Sequence, residues 1–231
     1  GAGSVSNVVQ SNLIGVDEDG EDPLPNRFSG LYLTGTRGCR IGGDLFVGGG
    51  NLISGNGSDG IRMINCSACE LLGNRIGGHV AGAGFGGNTN AGIYLQGSSS
   101  NNLIGGDVWS EANVVAYNGN AGIALGGTTS SVGNRIDYNW IFENGELGID
   151  LGDDGPTPND VFIGGDPDDG PNNLQNFPSI TNVFVDGSDL RIQGLIRSGI
   201  GQTYKINFYG STQIDPSGYG EGEFILGTTN V

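Results

Sequence analysis

The chain has 231 residues, 47 of them glycine, and its 25 acidic and 9 basic residues give a net charge of −16. Such an acidic chain repels the phosphate backbone of nucleic acids and anionic membrane surfaces. No apolar run approaches the roughly eighteen residues that a membrane helix needs, so we expect no nucleic-acid partner and no membrane insertion.

A tetrad of the form Gly-[Ile/Leu]-x-[Leu/Met] recurs along most of the chain. Its glycines are Gly30, Gly60, Gly92, Gly122 and Gly148, so successive tetrads lie 30, 32, 30 and 26 residues apart. Asparagine stands four residues before each of them, at Asn26, Asn56, Asn88, Asn118 and Asn144. A fixed spacing of this kind indicates a repeat architecture.

Two further series of asparagines lie between the tetrads. One consists of Asn12, Asn51, Asn74, Asn113 and Asn139, each followed two residues later by Ile or Val. The other consists of Asn7, Cys39, Cys69, Asn102 and Asn134, so two cysteines occupy asparagine positions. Each period therefore carries three short strands of period two, separated by turns rich in glycine, serine and asparagine.

A unit of three strands buries its apolar face only by stacking on its neighbours. The sequence thus predicts an all-β fold, a right-handed parallel β-helix of about five coils over residues 1–151, roughly 24 Å long at the usual strand spacing. We expect the asparagines to stack as hydrogen-bonded ladders. We expect the glycine of each tetrad to supply a positive φ at a corner.

The cysteines raise a separate question, because Cys66 and Cys69 form a C-x-x-C pattern. The lone histidine, His79, and Cys66 complete no convincing set of four zinc ligands. If Cys39 and Cys69 stack one coil apart, their Cα atoms fall within the range of about 4.4–6.8 Å that a disulfide requires. We therefore predict a Cys39–Cys69 disulfide, with two buried free thiols as the alternative.

The pattern changes after Leu151. Residues 152–178 are acidic and turn-rich, and we expect them to cap the open end of the coils. Residues 179–231 contain four alternating runs, "SITNVFV", "DLRIQGLI", "TYKINFY" and "EFILGTTN", which predict an antiparallel, sandwich-like β domain that is incomplete.

The stretches Gly170–Pro178 and Asp215–Gly222 carry a resemblance to a known family. Together with the coils, they resemble the β-helix repeats of large secreted bacterial surface proteins and the β-sandwich module that follows them. The resemblance implies a secreted or cell-surface location and a structural, adhesin-like role. Because the chain opens with Gly1 partway through a repeat, we expect neighbouring domains of a larger chain as partners.

Two acidic loops are candidate calcium sites. The first contains Asp166, Asp168, Asp169 and Asn172, whose D-x-D-D-G-x-N pattern sets oxygen ligands around a tight turn. Asp153, Asp154 and Asp160 are further candidate ligands for it. The second loop contains Asp17, Asp19 and Asp22. Both loops also fit the alternative of solvated acidic turns.

The outward positions of the tetrads are Tyr32, Arg62, Tyr94, Ala124 and Asp150. Tyr32, Arg62 and Tyr94 suit a sugar-binding platform, since aromatic faces and a guanidinium contact carbohydrate well. Exposed tyrosines are also common on any β-sheet. Arg62 and Asp150 lie three coils apart, about 14 Å, too far to act on one substrate atom.

We therefore assign no catalytic residues. The expected function is a non-catalytic structural or adhesin-like module, stabilised by calcium. The alternative is a polysaccharide-binding or polysaccharide-processing β-helix of the lyase or hydrolase type.

Overall fold

The computed structural model describes residues 4–78, 86–160, 166 and 168–231. His79 lies outside these residues. The first fifteen strands are β1 Val8–Val9, β2 Leu13–Ile14, β3 Leu31–Thr34, β4 Arg40–Gly42, β5 Leu52–Ile53, β6 Ile61–Ile64, β7 Glu70–Leu72, β8 Arg75–Ile76, β9 Ile93–Gly97, β10 Leu103–Ile104, β11 Val114–Ala116, β12 Ile123–Gly127, β13 Arg135–Ile136, β14 Trp140–Phe142 and β15 Ile149–Leu151. Four longer strands follow: β16 Ser179–Asp186, β17 Asp189–Leu195, β18 Lys205–Gly210 and β19 Phe224–Asn230.

Three parallel sheets of five strands each form the body of the molecule. Every third strand along the chain joins the same sheet, so the sheets run β1-β4-β7-β10-β13, β2-β5-β8-β11-β14 and β3-β6-β9-β12-β15. The tetrads pair in register, with Ile61 opposite Ile93 and Ile93 opposite Ile123. This arrangement confirms the predicted parallel β-helix of five coils.

The apolar residues of the tetrads form the core. Ile61, Met63, Ile93 and Leu95 have no exposed surface, as expected for strand residues of equal parity on the inner face of a coil. At the last coil, by contrast, Ile149 is 43 % exposed. The core is therefore fully closed only in the middle coils.

The tetrad glycines serve a different purpose from the one predicted. Gly60 and Gly92 are not among the residues with positive φ, so that expectation was wrong. A Cβ atom on Gly60 would lie 2.6 Å from the carbonyl oxygen of Gly92 and 2.7 Å from the Cγ2 atom of Ile76. Glycine stands here because the corner brings the neighbouring coil and the core too close for a side chain.

The asparagines form the predicted ladders. In one ladder the Nδ2 atom of each residue donates to the Oδ1 atom of the next at 2.8–2.9 Å, through Asn26, Asn56, Asn88, Asn118 and Asn144. A second ladder joins Asn12, Asn51, Asn74, Asn113 and Asn139 in the same way at 2.8–3.0 Å. These bonds satisfy polar groups that the corners bury.

The third ladder contains the two cysteines. Arg40 pairs with Glu70, so Cys39 and Cys69 occupy adjacent rungs. The backbone N–H of Cys69 donates to the Oδ1 atom of Asn102 at 3.0 Å, and Asn7 donates to the sulfur of Cys39 at 3.6 Å. All three cysteines of the chain are buried free thiols in this structure. The Cys39–Cys69 disulfide, which would form by oxidation of two of these thiols, stays a prediction.

Two loops on one side of the coils meet across the coil between them. The 3-10 turns Leu45–Val47 and Trp109–Glu111 belong to the second and fourth coils and contact each other. Gly73, in the third coil, lies between them and donates its N–H to the carbonyl of Glu111 at 2.9 Å. A Cβ atom on Gly73 would collide with the carbonyl oxygen of Gly43.

The C-terminal strands form two separate antiparallel hairpins, β16 with β17 and β18 with β19. The second hairpin is docked on the coils by the chain's one lysine, Lys205, whose Nζ atom lies 2.7 Å from the buried carboxylate of Asp137. Asn207 donates to the other oxygen of Asp137, also at 2.7 Å. Close to this hairpin, the N–H of Ile141 donates to the carbonyl of Gly222 at 2.8 Å, which covers the edge of β14.

Among the described residues, no helix has the length and apolar character needed to cross a membrane.

Candidate functional site

Three carboxylates converge beyond the last coil. One carboxylate oxygen from each of Asp160, Asp166 and Asp168 lies within 4.8 Å of the others. The turn-rich segment after β15 brings them together, since Asp160 and Asp166 are both bonded to residue Asn176. The N–H of Asp160 donates to the Oδ1 atom of Asn176 at 3.0 Å, and the N–H of Asn176 donates to Asp166 at 2.9 Å.

Asp166 uses its two oxygens differently. Its Oδ2 atom accepts hydrogen bonds from Ser198 at 2.7 Å and Gln175 at 3.3 Å, in addition to Asn176. Its Oδ1 atom and the Oδ2 atom of Asp160 are buried and have no hydrogen-bond partner among the described residues. Buried oxygens without partners are costly, and hard oxygen atoms are what a calcium ion requires.

The negative charges of this cluster repel one another. Partial burial and the neighbouring carboxylate of Asp160 raise the pKa of Asp168, with smaller contributions from Asp166 and Asp169. A divalent cation would remove this repulsion. Asp160, Asp166 and Asp168 are thus the residues that could hold a metal.

The other predicted ligands of this site have different surroundings. Asp169 is not part of the converging group. Asn172 continues the third asparagine ladder: its Oδ1 atom accepts from the N–H of Asn134 at 3.0 Å, and its Nδ2 atom donates to the carbonyl of Asn134 at 2.7 Å. Asp153 interacts with the hydroxyl of Tyr94.

In the second acidic loop, backbone N–H groups of the loop itself provide hydrogen bonds to one of the carboxylates. The carboxylate of Asp17 accepts from the N–H of Glu21 at 3.0 Å and of Asp22 at 3.2 Å. The hydrogen bonds from Asp22 and Glu21 lower the pKa of Asp17. Within the described residues, Asp17, Asp19 and Asp22 do not form a converging group of three.

The predicted sugar platform is assembled by the register of the third sheet. Tyr32 pairs with Arg62, and Arg62 pairs with Tyr94. The guanidinium carbon of Arg62 lies 4.7 Å from the centre of the Tyr94 ring. Its two terminal nitrogens bond to Asp59 at 3.0 Å and to Gln96 at 2.8 Å. These two hydrogen bonds hold the guanidinium over the Tyr94 ring.

The two tyrosines differ in exposure. Tyr32 is 61 % exposed, whereas burial and the nearby Asp153 raise the pKa of Tyr94 to about 12. Beyond them, Asp150 is buried, and it accepts from the N–H of Asp153 at 3.1 Å and of Gly155 at 3.0 Å. Burial raises the pKa of Asp150. This carboxylate stabilises the turn after the last tetrad.

Two long-range contacts at the end of the coils, one made by Glu221 and one made by Lys205, were not predicted from the sequence. Glu221 accepts from the Nδ2 atom of Asn144 at 2.9 Å and thereby ends a ladder, but the two residues lie 77 positions apart and no repeat connects them. Lys205 and Asp137 also come from different parts of the chain. The only available signal was that Lys205 is the one lysine.

The family model described as a right-handed beta helix region matches residues 7–166. Comparisons with curated proteins and with solved structures gave no match. The family match covers all five coils and more than half of the sequence, so the chain belongs to the family of proteins with a right-handed β-helix region.

Proposed function

We propose that the chain is a non-catalytic structural or adhesin-like module of a secreted or cell-surface protein, in which calcium stiffens the junction between the coils and the C-terminal strands. The observation that carries this proposal is the group formed by Asp160, Asp166 and Asp168, in which two buried oxygens have no hydrogen-bond partner within the described part of the chain. Asp166 also bonds to Ser198 at 2.7 Å. A cation bound there would connect the segment after the coils to the linker between the two hairpins.

The two charged residues at the outward positions of the tetrads, Arg62 and Asp150, are engaged in structural contacts, which supports a non-catalytic role. Arg62 bonds to Asp59 and Gln96, and Asp150 bonds to backbone amides. A general acid or base must instead reach a substrate atom. The resemblance of the coils to repeats of secreted surface proteins supports the proposed location, where calcium sites with dissociation constants of about 10⁻⁴–10⁻³ M are loaded.

Thermal unfolding in calcium and in EDTA tests the proposal. We expect calcium at about one hundred times its dissociation constant to add about 2.7 kcal/mol of stability and to raise the melting temperature by several degrees. The double variant Asp160→Asn, Asp168→Asn should lose this shift. Glu146→Gln, which removes an exposed carboxylate in the last coil, should keep it.

Two results would count against the calcium site. A melting temperature that is the same in calcium and in EDTA would remove the metal from the proposal. A shift that survives in the double variant but disappears in Asp17→Asn would move the site to the second acidic loop, which contains Asp17, Asp19 and Asp22.

A second candidate function is polysaccharide binding along Tyr32, Arg62 and Tyr94. It is favoured by the stacking of Arg62 on Tyr94 and by the exposure of Tyr32, because sugar rings pack against flat aromatic and guanidinium surfaces. Incubation with neutral and acidic polysaccharides, with mass spectrometry of the products, tests it.

Depletion of the protein by a glycan without product, abolished in Tyr32→Ala and retained in Tyr219→Ala, would support binding. Tyr219 is a suitable control because it is 53 % exposed and lies in the C-terminal region. Release of product would instead support a polysaccharide-processing enzyme and would overturn the non-catalytic proposal.

A further inference from the structure

Each asparagine ladder has a direction. The Nδ2 atom of Asn26 donates to the Oδ1 atom of Asn56 at 2.8 Å, and the Nδ2 atom of Asn12 donates to the Oδ1 atom of Asn51 at 2.9 Å. The same sense holds at the following rungs of these ladders. In these two ladders, the Nδ2 atom of each asparagine therefore donates toward the coil after it, and the Oδ1 atom is placed to accept from the coil before it.

At the C-terminal end of the coils, two ladders finish on acceptors from outside the repeat. The Nδ2 atom of Asn144 donates to Glu221 at 2.9 Å, and the backbone N–H of Asn134 donates to Asn172 at 3.0 Å. The carbonyl of Gly222 accepts from Ile141 on the edge of the last coil. This end is closed by groups that match the direction of the ladders.

The N-terminal end has the opposite character. Within the described residues, no donor reaches the Oδ1 atoms of Asn12 and Asn26, which begin two ladders. The strands that contain Leu13 and Leu31 are the outermost strands of their sheets. A cavity of about 400 Å³, lined by Leu31 and Leu33 among others, opens from the core at this end.

We propose that the N-terminal face binds a further parallel coil, one that carries asparagine at its corners. Such a coil would present N–H and Nδ2 donors to Asn12 and Asn26 and apolar side chains to Leu31 and Leu33. Its strands would extend the three sheets in the existing register. The partner is thus defined by its chemistry, as a β-solenoid segment with amide donors on the face that it presents.

A second copy of the chain does not fit this face. Its C-terminal end is covered by Glu221, Gly222 and Asn172. Its N-terminal end would place Oδ1 acceptors against Oδ1 acceptors and would bring the edge strands together antiparallel, against the parallel register of the sheets. The direction of the ladders therefore selects a parallel coil over a symmetric dimer.

The register of the structure specifies a probe. Residue Val5 pairs with Arg37, and Arg37 pairs with Ser67, so a copy of residues 37–66 joined directly before Val5 is one coil in phase. In this extended chain, the copied Asn51 takes the ladder position one coil before Asn12. The copied Asn56 takes the position one coil before Asn26. A shorter extension, residues 50–66, supplies only the two strands that cover Leu13 and Leu31.

We expect the extension to raise the melting temperature by at least about 3 °C and to slow amide hydrogen exchange across residues 31–34 at least tenfold. The matched control carries Asn51→Asp and Asn56→Asp in the copied coil only, which removes the side-chain donors and sets carboxylates against the acceptors. It should lose most of both effects.

Failure of both extensions to raise the melting temperature or slow exchange would overturn the proposal, and so would equal effects from the extension and its aspartate control. Light scattering of the original chain tests the alternative that a second copy occupies the N-terminal face. A dimer whose protection of residues 31–34 is lost on dilution would identify a second copy as the occupant, which also overturns it.

Discussion

Asn88 illustrates how much a single ladder residue does. It is buried, its Nδ2 atom donates to Asn118 and to the carbonyl of Ile53, and its Oδ1 atom accepts from Asn56 at 2.8 Å. No other side chain of this size offers two donors and an acceptor in one plane. The residue type is fixed by the need to satisfy two neighbouring coils at once.

Replacing Asn88 by alanine should therefore be costly. We expect Asn88→Ala to lower the free energy of unfolding by about 2–4 kcal/mol, because it leaves several buried groups without partners. Urea unfolding followed by circular dichroism measures the change. Asn120→Ala, at an exposed position, is the control and should change stability little. Equal losses in the two variants would mean that the ladder adds nothing specific.

Glu221 makes stability depend on pH. Burial raises its pKa, so the folded protein holds this proton more tightly than the unfolded chain does. The stability contributed by the protonated form is fully present below the ordinary glutamate pKa and is lost as pH rises through the raised value. Gln at this position still offers an oxygen to Asn144 but does not ionise.

We expect Glu221→Gln to be more stable than the original chain at pH 7 and equally stable at pH 3. Unfolding curves at a series of pH values measure this difference. Glu146→Gln removes an exposed carboxylate and should show no such dependence. A Glu221→Gln variant that is less stable at neutral pH would show that the negative charge itself is needed to end the ladder.

At the scale of strands and loops, the spacing of residues along the sequence determined which features of the fold could be predicted. The strands of the coils followed from alternation within each tetrad, and their stacking followed from the constant offset between asparagine and glycine. Because this information is local and repeated, the sheets and the ladders could be predicted together. The purpose of the tetrad glycine could not, since it depends on how closely Gly60 approaches Ile76 in the packed corner.

The candidate metal site shows the limit of the same reasoning. From the sequence, the pattern of Asp166, Asp168 and Asn172 was compatible with a metal loop and with a solvated acidic turn. In the structure, Asn172 bonds to Asn134, 38 residues earlier, while Asp160 joins the two aspartates. Loop length conceals such long-range pairings, which only the folded arrangement reveals.

For the molecule as a whole, the C-terminal residues close the coils. The boundaries predicted at residues 151 and 178 remain predictions, but Glu221 and Gly222 bond to the last coil from beyond both. Deleting them would expose the edge of β14 and the donors of Asn144. Exposed strand edges promote association between chains.

We therefore expect a chain ending at residue 178 to aggregate or to unfold at lower temperature than the full chain. Size-exclusion chromatography and thermal unfolding measure the two effects. Glu221→Ala, which removes only the ladder acceptor, should reproduce part of the loss in melting temperature without the aggregation. A shortened chain as stable and as monodisperse as the original would show that the coils need no such cover.

The contact between two loops across Gly73 also bears on how this scaffold can be modified. In stacked repeats, each repeat generally contacts only its immediate neighbours. Here the turn around Leu45–Val47 touches the turn around Trp109–Glu111, two coils away. A binding loop grafted at either place would have to be engineered together with the other, and the glycine between them would have to stay.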